Sequence, residues 1–305
     1  MICENRVAVV TGAGRGLGRA HALEFARHGA KVVVNDLGVE RDGTGRSQEL
    51  AAQVAAEIRD LGGQAVAAAG DVSTTDGAAD LIRTAIDAFG RLDILVNNAG
   101  FLRDRMLVNL TEQEWDSVVR VHLTGHFLPL KYAATHWRSE VKAGCDVDAR
   151  VINTSSGAGL LGSVGQGNYA AAKAGIVALT LVAAAELARY GVRVNAIVPA
   201  ARTRMTEELF ATTMAAPENG TFDRMDPANV SPLVVWLGSA GSAKVTGRVF
   251  EVDGGRIGVM EGYRHGPAID KGARWHADEI GATIHALLAN ATPPEPVYGS
   301  TARPN

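Results

Sequence analysis

A strand that runs directly into a glycine-rich turn and then a helix constrains the fold of this chain more than any other feature. Arg6-Val7-Ala8-Val9-Val10-Thr11 reads as a buried strand, Gly12-Ala13-Gly14-Arg15-Gly16-Leu17-Gly18 continues it without a break, and a helical pattern extends from Leu17 to Arg27. A second strand, Lys31-Val32-Val33-Val34-Asn35-Asp36, comes next. Two strands joined through a helix lie parallel with a right-handed crossover, so this unit sets the hand in which the rest of the sheet is wound. Apolar runs at 7–11, 32–34, 65–68, 94–96, 151–154, 193–198 and 248–252 read as seven strands, with helical patterns in the gaps. Such alternation requires a parallel sheet covered by helices on both faces. A hydrophobic content of 47% with 35 glycines suits that buried sheet, its tight turns and its close helix packing. One domain is expected over residues 1–255.

The same turn points to a ligand. Glycines between a strand and a helix let the backbone approach a pyrophosphate, which main-chain N–H groups and the positive end of the helix dipole then hold. Asp36 stands 24 residues after Gly12, about where a carboxylate meets the ribose hydroxyls of a dinucleotide. A different chemistry is written further along. Lys173 comes four residues after Tyr169, one helical turn away on the same face, and Ser156 lies thirteen residues before the tyrosine. An ammonium so placed lowers a phenol pKa from roughly 10 towards neutrality. A phenol tuned in this way passes a proton to or from a substrate oxygen.

Taken together, T-G-A-G-R-G-L-G, Asn97-Asn98-Ala99-Gly100, Ser156, Tyr169, Lys173, Asn195 and Pro199 stand at the spacings of the short-chain dehydrogenase/reductase family, which the chain resembles over about residues 5–255. N-D-L-G at 35–38, N-N-A-G-F-L-R-D-R at 97–105, R-V-H-L-T-G at 120–125 and R-M-T-E at 204–207 resemble one branch of it. That branch holds the 3-hydroxyacyl-CoA dehydrogenase domain of peroxisomal multifunctional enzyme type 2, also called 17β-hydroxysteroid dehydrogenase type 4, and its bacterial stand-alone relatives. The resemblance implies a Rossmann doubly wound sheet in the order 3-2-1-4-5-6-7. It implies Tyr169 as general acid/base, with Lys173 also bonding the nicotinamide ribose. Ser156, preferred to Ser155, positions the substrate oxygen. Where the family carries an asparagine this chain has His122, for which acid/base, relay or positioning, and structural roles are all open. Cofactor contacts are expected from Gly12, Arg15, Gly16, Leu17, Gly18, Asp36, Asp71, Val72, Asn98, Ala99, Gly100, Tyr169, Lys173, Pro199 and Thr203, with the Asn97 side chain lining the same site. Asp36 repels a 2′-phosphate whereas Arg15 invites one; an arginine swings to solvent at little cost, so NAD is the expected cofactor.

These residues imply an NAD-dependent oxidoreductase of secondary alcohols, acting on a 3-hydroxyacyl-CoA or a hydroxysteroid. An NADPH-dependent 3-oxoacyl-carrier-protein reductase and a non-catalytic dinucleotide sensor or scaffold are the alternatives. A net charge of −3 gives no reason to expect nucleic acid or an anionic membrane as partner. The apolar stretch Ala170–Ala188 is broken by Lys173 and Glu186, and no membrane insertion is expected. Cys3 and Cys145 lack neighbouring ligands, so no metal site is expected, and a reducing, cytoplasmic setting suits them. With the first strand entered within about six residues, no signal or transit peptide is expected. A homodimer or homotetramer is expected, through the helix from Tyr169 to Tyr190 and a long one near Trp115 to Glu140. Leu37–Arg46 reads as a solvated loop and Arg103-Asp104-Arg105 as a solvated charged turn. Residues 256–305 form an extension, packed on the same domain or a neighbouring subunit. In it Ile280, Ile284, Leu287 and Leu288 share one helical face, with Asp278 as cap.

Overall fold

The computed structural model describes residues 1–38, 47, 49–202, 217, 220–295 and 297. Its frame is a repeated strand–helix alternation. β1 (Val7–Thr11), α1 (Gly16–Arg27), β2 (Lys31–Asn35), α2 (Glu49–Asp60), β3 (Gln64–Ala68), α3 (Thr75–Phe89) and β4 (Ile94–Asn97) form the first half. α4 (Glu112–Val119) and α5 (Gly125–Lys142) lead to β5 (Ala149–Thr154), after which come α6 (Gly157–Leu161), α7 (Gly167–Leu187) and β6 (Val192–Ala200). α8 (Ser231–Gly238), β7 (Val249–Asp253), β8 (Arg256–Met260) and α9 (Ile280–Asn290) complete the described elements.

Among these residues the strands make one sheet in the order β3-β2-β1-β4-β5-β6-β7-β8. The first seven are parallel, and β8 pairs antiparallel with β7, Val249 opposite Met260. The expected seven-stranded order holds, with one strand added from the extension. Five residues beyond Asp253-Gly254-Gly255 turn back beside β7 because the edge of a sheet offers unpaired N–H and C=O groups.

Each central strand feeds two cores. Along β1 the period of two sends Val7 and Val9 to one face and Ala8 and Val10 to the other. Ala8 and Val10 meet Phe25 of α1, Ile58 of α2 and Leu233 of α8; Val7 and Val9 meet Leu81 of α3, Trp137 of α5 and Ala183 of α7. Residues 167–190 are long and apolar enough to cross a membrane by length and composition. Here Ile176 and Ala183 of that helix are buried and it packs along β6.

Two expectations about helices need correction. The span from Trp115 to Glu140 is not one long α-helix: α4 ends at Val119, Arg120–Thr124 form a π-helical turn, and α5 starts at Gly125. α9 starts at Ile280 with no side-chain cap, so Asp278 does not cap it, and none of its residues is buried in the single chain. The solvated loop expected at Leu37–Arg46 lies almost wholly outside the described residues.

Candidate active site

Parallel strands end at one edge, and the residues singled out in the sequence collect at the carboxyl ends of β1, β2, β4, β5 and β6. After β1 the chain turns through Gly12 (φ 62°) and Gly16 (φ 53°), a conformation that a Cβ disfavours. A Cβ on Gly18 would lie 2.2 Å from the Gly12 carbonyl oxygen, so α1 sits hard against the turn. Asn98 staples it: Nδ2 donates to the carbonyls of Thr11 (3.0 Å) and Gly12 (3.2 Å). The Thr11 hydroxyl in turn accepts the main-chain N–H groups of Asn98 (2.9 Å) and Ala99 (3.1 Å). On the other side Asp36 accepts Gly14 N–H at 2.8 Å and Gly38 N–H at 2.7 Å.

These features fit a dinucleotide. Among the described residues no side chain caps α1 at its N-terminus, which leaves the first-turn N–H groups for an anion. The Asp36 carboxylate has about four lone-pair directions, two of them used among the described residues, and keeps capacity for ribose hydroxyls. Arg15 is exposed at the mouth of the turn, and Leu17 packs against the core beneath it. Asp71 is shaped by Ser73, whose N–H and hydroxyl donate to its Oδ1 at 2.9 and 2.7 Å. The Val72 side chain is buried in the core. Pro199 is half-buried on β6 opposite Val252. Asn97 departs from expectation. Its side chain is fully buried and donates to Asn153 Oδ1 (3.0 Å) and the His126 carbonyl (3.3 Å), tying β4 to β5 and α5 beneath the site. Thr203 lies outside the described residues.

Tyr169 and Lys173 stand one turn apart on α7. Lys173 is buried; its Nζ donates to the Thr154 carbonyl at 2.6 Å and lies 5.5 Å from the centre of the Tyr169 ring. Burial disfavours the ammonium and lowers its pKa from 10.5 to about 7. The two serines at the end of β5 diverge. Ser155 turns inward and donates to the Lys173 carbonyl at 2.9 Å, whereas Ser156 starts α6 and accepts Ala158 N–H at 3.3 Å. That bond leaves the Ser156 hydroxyl proton free to donate. A Cβ on Gly159 would stand 2.6 Å from Lys173 Cβ, so only glycine lets α6 close on α7 at this point.

His122 occupies the π-helical turn. Its Nε2 is 2.7 Å from the Phe101 carbonyl oxygen and 3.1 Å from Phe101 N. The shorter contact assigns the proton to Nε2. Nδ1 is buried and has no partner among the described residues. Burial first, and then the Lys173 charge, lower its pKa from 6.5 to about 3, so the ring is neutral. It meets Tyr169 edge-on, centroids 5.2 Å apart at 88°. A Cβ on Gly100 would lie 2.2 Å from His122 Cε1, which ties a histidine here to a glycine there.

The loop after β4 is braced rather than freely solvated. Gln166 donates to Asp104 (2.9 Å), Arg105 pairs with Glu114 (3.1 Å), and buried Asn168 donates to the carbonyls of Arg103 (3.1 Å) and Glu114 (3.3 Å). Arg103 stacks on Phe101, 5.5 Å from the ring centre. Sequence reasoning passes over Gln166, Asn168, Thr154 and His126. The one signal available is that His126 comes a single helical turn after His122.

A doubly wound sheet whose carboxyl edge joins an uncapped glycine turn, an acid after the second strand and a tyrosine beside a buried lysine defines a dinucleotide-dependent oxidoreductase. The chain belongs to the short-chain dehydrogenase family, whose sequence profile matches residues 6–213. With that family it takes a nicotinamide dinucleotide and acts on CH–OH groups. The chain is 47% identical over 297 residues to the hydroxyacyl-CoA dehydrogenase ChsB1 of Mycobacterium tuberculosis, covering 94% of this chain and 90% of that protein. It is 42% identical over 257 residues to mouse peroxisomal multifunctional enzyme type 2, covering 84% of this chain and 33% of the longer mouse protein. The crystal structure of a short chain dehydrogenase from Mycobacterium avium superposes with a TM-score of 0.88 at 57% identity, over 98% of this chain and all of that one.

Proposed function

We propose that this chain is an NAD-dependent dehydrogenase interconverting 3-hydroxyacyl-CoA and 3-oxoacyl-CoA thioesters, with hydroxysteroids as second substrates. The observation that carries the chemistry is the Lys173 ammonium, anchored by the Thr154 carbonyl and held 5.5 Å from the Tyr169 ring. In the oxidative direction Tyr169 takes the hydroxyl proton of the substrate, and the nearby positive charge favours the phenolate that receives it. Ser156 donates its free proton to the same oxygen and holds it in place. His122, neutral and edge-on to Tyr169, positions the phenol ring. When bound, the nicotinamide ring supplies the hydride acceptor for the substrate carbon.

Asp36 supports NAD over NADP. Two main-chain N–H groups fix its carboxylate at the end of β2, and like charges about 4 Å apart at an effective dielectric of 20 repel by roughly 4 kcal/mol. The similarity to the hydroxyacyl-CoA dehydrogenase of M. tuberculosis supports the thioester substrate. Trp115, Phe127, Leu181 and Val182 on α4, α5 and α7 leave apolar surface exposed, which supports a homodimer or homotetramer. The extension is read as a cover on a neighbouring subunit, because Ile280, Ile284 and Leu288 of α9 stay exposed in their own chain. Both cysteines are free thiols, which suits a reducing cytoplasm.

The deciding experiment monitors NAD reduction over a panel of 3-hydroxyacyl-CoA chain lengths and hydroxysteroids. Turnover of thioesters with a higher kcat/KM than any steroid supports the proposal. Preference for NADPH with a carrier-protein thioester replaces it with the reductase reading. No turnover of any secondary alcohol leaves only a dinucleotide-binding role.

A further inference from the structure

His126 packs beneath the Tyr169–Lys173 pair without belonging to it. The ring is completely buried. Its Nε2 lies 3.4 Å from Thr154 N, whose N–H therefore donates to it, and the carbonyl of the same residue accepts from Lys173 Nζ at 2.6 Å. One residue of β5 thus shares its N–H between the β4 ladder, at the Asn97 carbonyl, and His126, and has its acceptor committed to Lys173. The carbonyl of His126 takes the Asn97 side chain, so α5 is tied to the ends of both β4 and β5 at this point. An acceptor at Nε2 places the ring proton on Nδ1. That atom is buried and has no partner among the described residues, as is true of His122 Nδ1, Asn97 Oδ1 and Thr154 Oγ1 in the same neighbourhood. Buried polar groups in such numbers are retained at a cost of order 1–3 kcal/mol each, so a purely structural core would favour apolar side chains here.

The groups that act electrostatically on the His126 ring are Lys173 from α7 and His122 from the π-helical turn, both lowering its pKa, while the nearby His122 and Asn97 main chains act weakly in the opposite sense. Burial and those two side chains hold the imidazole well below its ordinary range, so it stays neutral and its Nε2 stays an acceptor. A protonated ring would turn that acceptor into a donor aimed at another donor, the Thr154 N–H.

We propose that His126 is a positioning residue for the Tyr169–Lys173 pair: as a neutral acceptor it holds Thr154 so that the Thr154 carbonyl faces and anchors the Lys173 ammonium. The inference rests on the reading of those two residues as the proton-transfer pair, and it deepens that reading. His126 acts through one strand residue and touches neither substrate nor cofactor.

The test compares His126→Gln, whose carbonyl reaches the Nε2 position, with His126→Asn, whose shorter side chain does not, and with His126→Leu. Lys173 is read directly by NMR of protein labelled with 15N-lysine, its signal assigned by its loss in Lys173→Met, so the measurement does not require turnover. In His126→Asn and His126→Leu the anchored ammonium is expected to lose its proton at a pH at least about half a unit below the wild type's, and His126→Gln is expected to restore it. In steady-state assays His126→Asn should lower kcat by about ten-fold or more while the KM for NAD changes less than about two-fold, again with recovery in His126→Gln. Identical Lys173 titration in wild type, Gln and Asn variants overturns the proposal, even in a fully active enzyme. Should His126→Leu fail to fold, the Gln and Asn pair still decides. A shifted Lys173 titration in a protein that turns over no secondary alcohol upholds the coupling and removes the dehydrogenase reading instead.

Discussion

Between Tyr169 and Lys173 the division of labour is testable one side chain at a time. The phenol meets only the reacting oxygen in the proposed mechanism, whereas the lysine also serves the cofactor. Tyr169→Phe is expected to lower kcat by about 10²–10⁴-fold with the NAD dissociation constant nearly unchanged, and Lys173→Ala to damage both; rapid-quench turnover and fluorescence titration of NAD read the two effects. A Tyr169→Phe enzyme keeping a tenth of its activity would remove the tyrosine from the chemistry. Asp36→Ala frees the end of β2 of its charge and exposes Arg15 to any added phosphate. The ratio of kcat/KM for NAD over NADP should then fall by at least about ten-fold, as expected for loss of roughly 1.4 kcal/mol of discrimination. A wild type that already prefers NADP contradicts the weight placed on Asp36. At this scale the chain is readable in advance where spacing carries the information. Tyr169, Lys173 and the glycines stand in local patterns, but Asn97, expected at the cofactor, is an internal tie between strands. Nothing local distinguishes it from Asn98.

Elements meet at the site through contacts that tolerate no extra atom. α1 reaches the glycine turn only because Gly18 lacks a Cβ, which would stand 2.2 Å from the Gly12 carbonyl. Gly18→Ala is therefore expected to push α1 off the turn, weakening NAD at least about ten-fold, and to lower stability by about 1–3 kcal/mol as an overpacked contact; calorimetric titration and urea melts check both. Unchanged NAD affinity would mean that the turn is not the anion cradle. The π-helical turn at Arg120–Thr124 is the element that sequence periodicity does not reveal. Apolar residues recur through it at nearly helical spacing, so a continuous helix is the natural expectation. The extra residue per turn is selected by what surrounds it, with His122 facing Phe101 and Tyr169.

For the molecule as a whole, buried histidines predict how it responds to acid. His21, bonded to Ser231, and His122 are both lowered from 6.5 to about 3 by burial. The unfolded chain binds protons at these positions between pH 6.5 and 3 while the folded chain refuses them. Stability should therefore fall as pH drops through that window and should not depend on these groups above 6.5. Urea midpoints from pH 7 to 4 measure the slope, and His21→Asn should flatten it; an equally steep slope in that variant would clear His21 of the effect. The extension is tested by truncation, and the cut must fall after Met260, because removal after Gly258 would take part of β8 from the sheet edge. Loss of residues 261–305 is expected to raise KM selectively for long-chain thioesters and to weaken self-association in sedimentation. A stable truncation with unaltered chain-length preference and assembly would leave α9 without either role.

Residue patterns alone determined that this chain is a doubly wound α/β protein with a dinucleotide turn and a tyrosine–lysine pair. They suffice because strands of period two, glycines at a strand–helix turn and side chains four apart are set within a few residues of one another. Only the tertiary structure decided what Ser155 bonds, what anchors Lys173, why His122 is accepted opposite Gly100, and that five residues past the last expected strand form another. Ser155 and Ser156 are neighbours in sequence, separated in role by the register of β5 against α7. Thr154 meets Lys173 across 19 positions, His126 meets Thr154 across 28, and Gln166 meets Asp104 across 62. Contacts of that kind arise when packing on both faces of the sheet brings distant chain ends to one edge, and no short-range pattern encodes where those ends will meet.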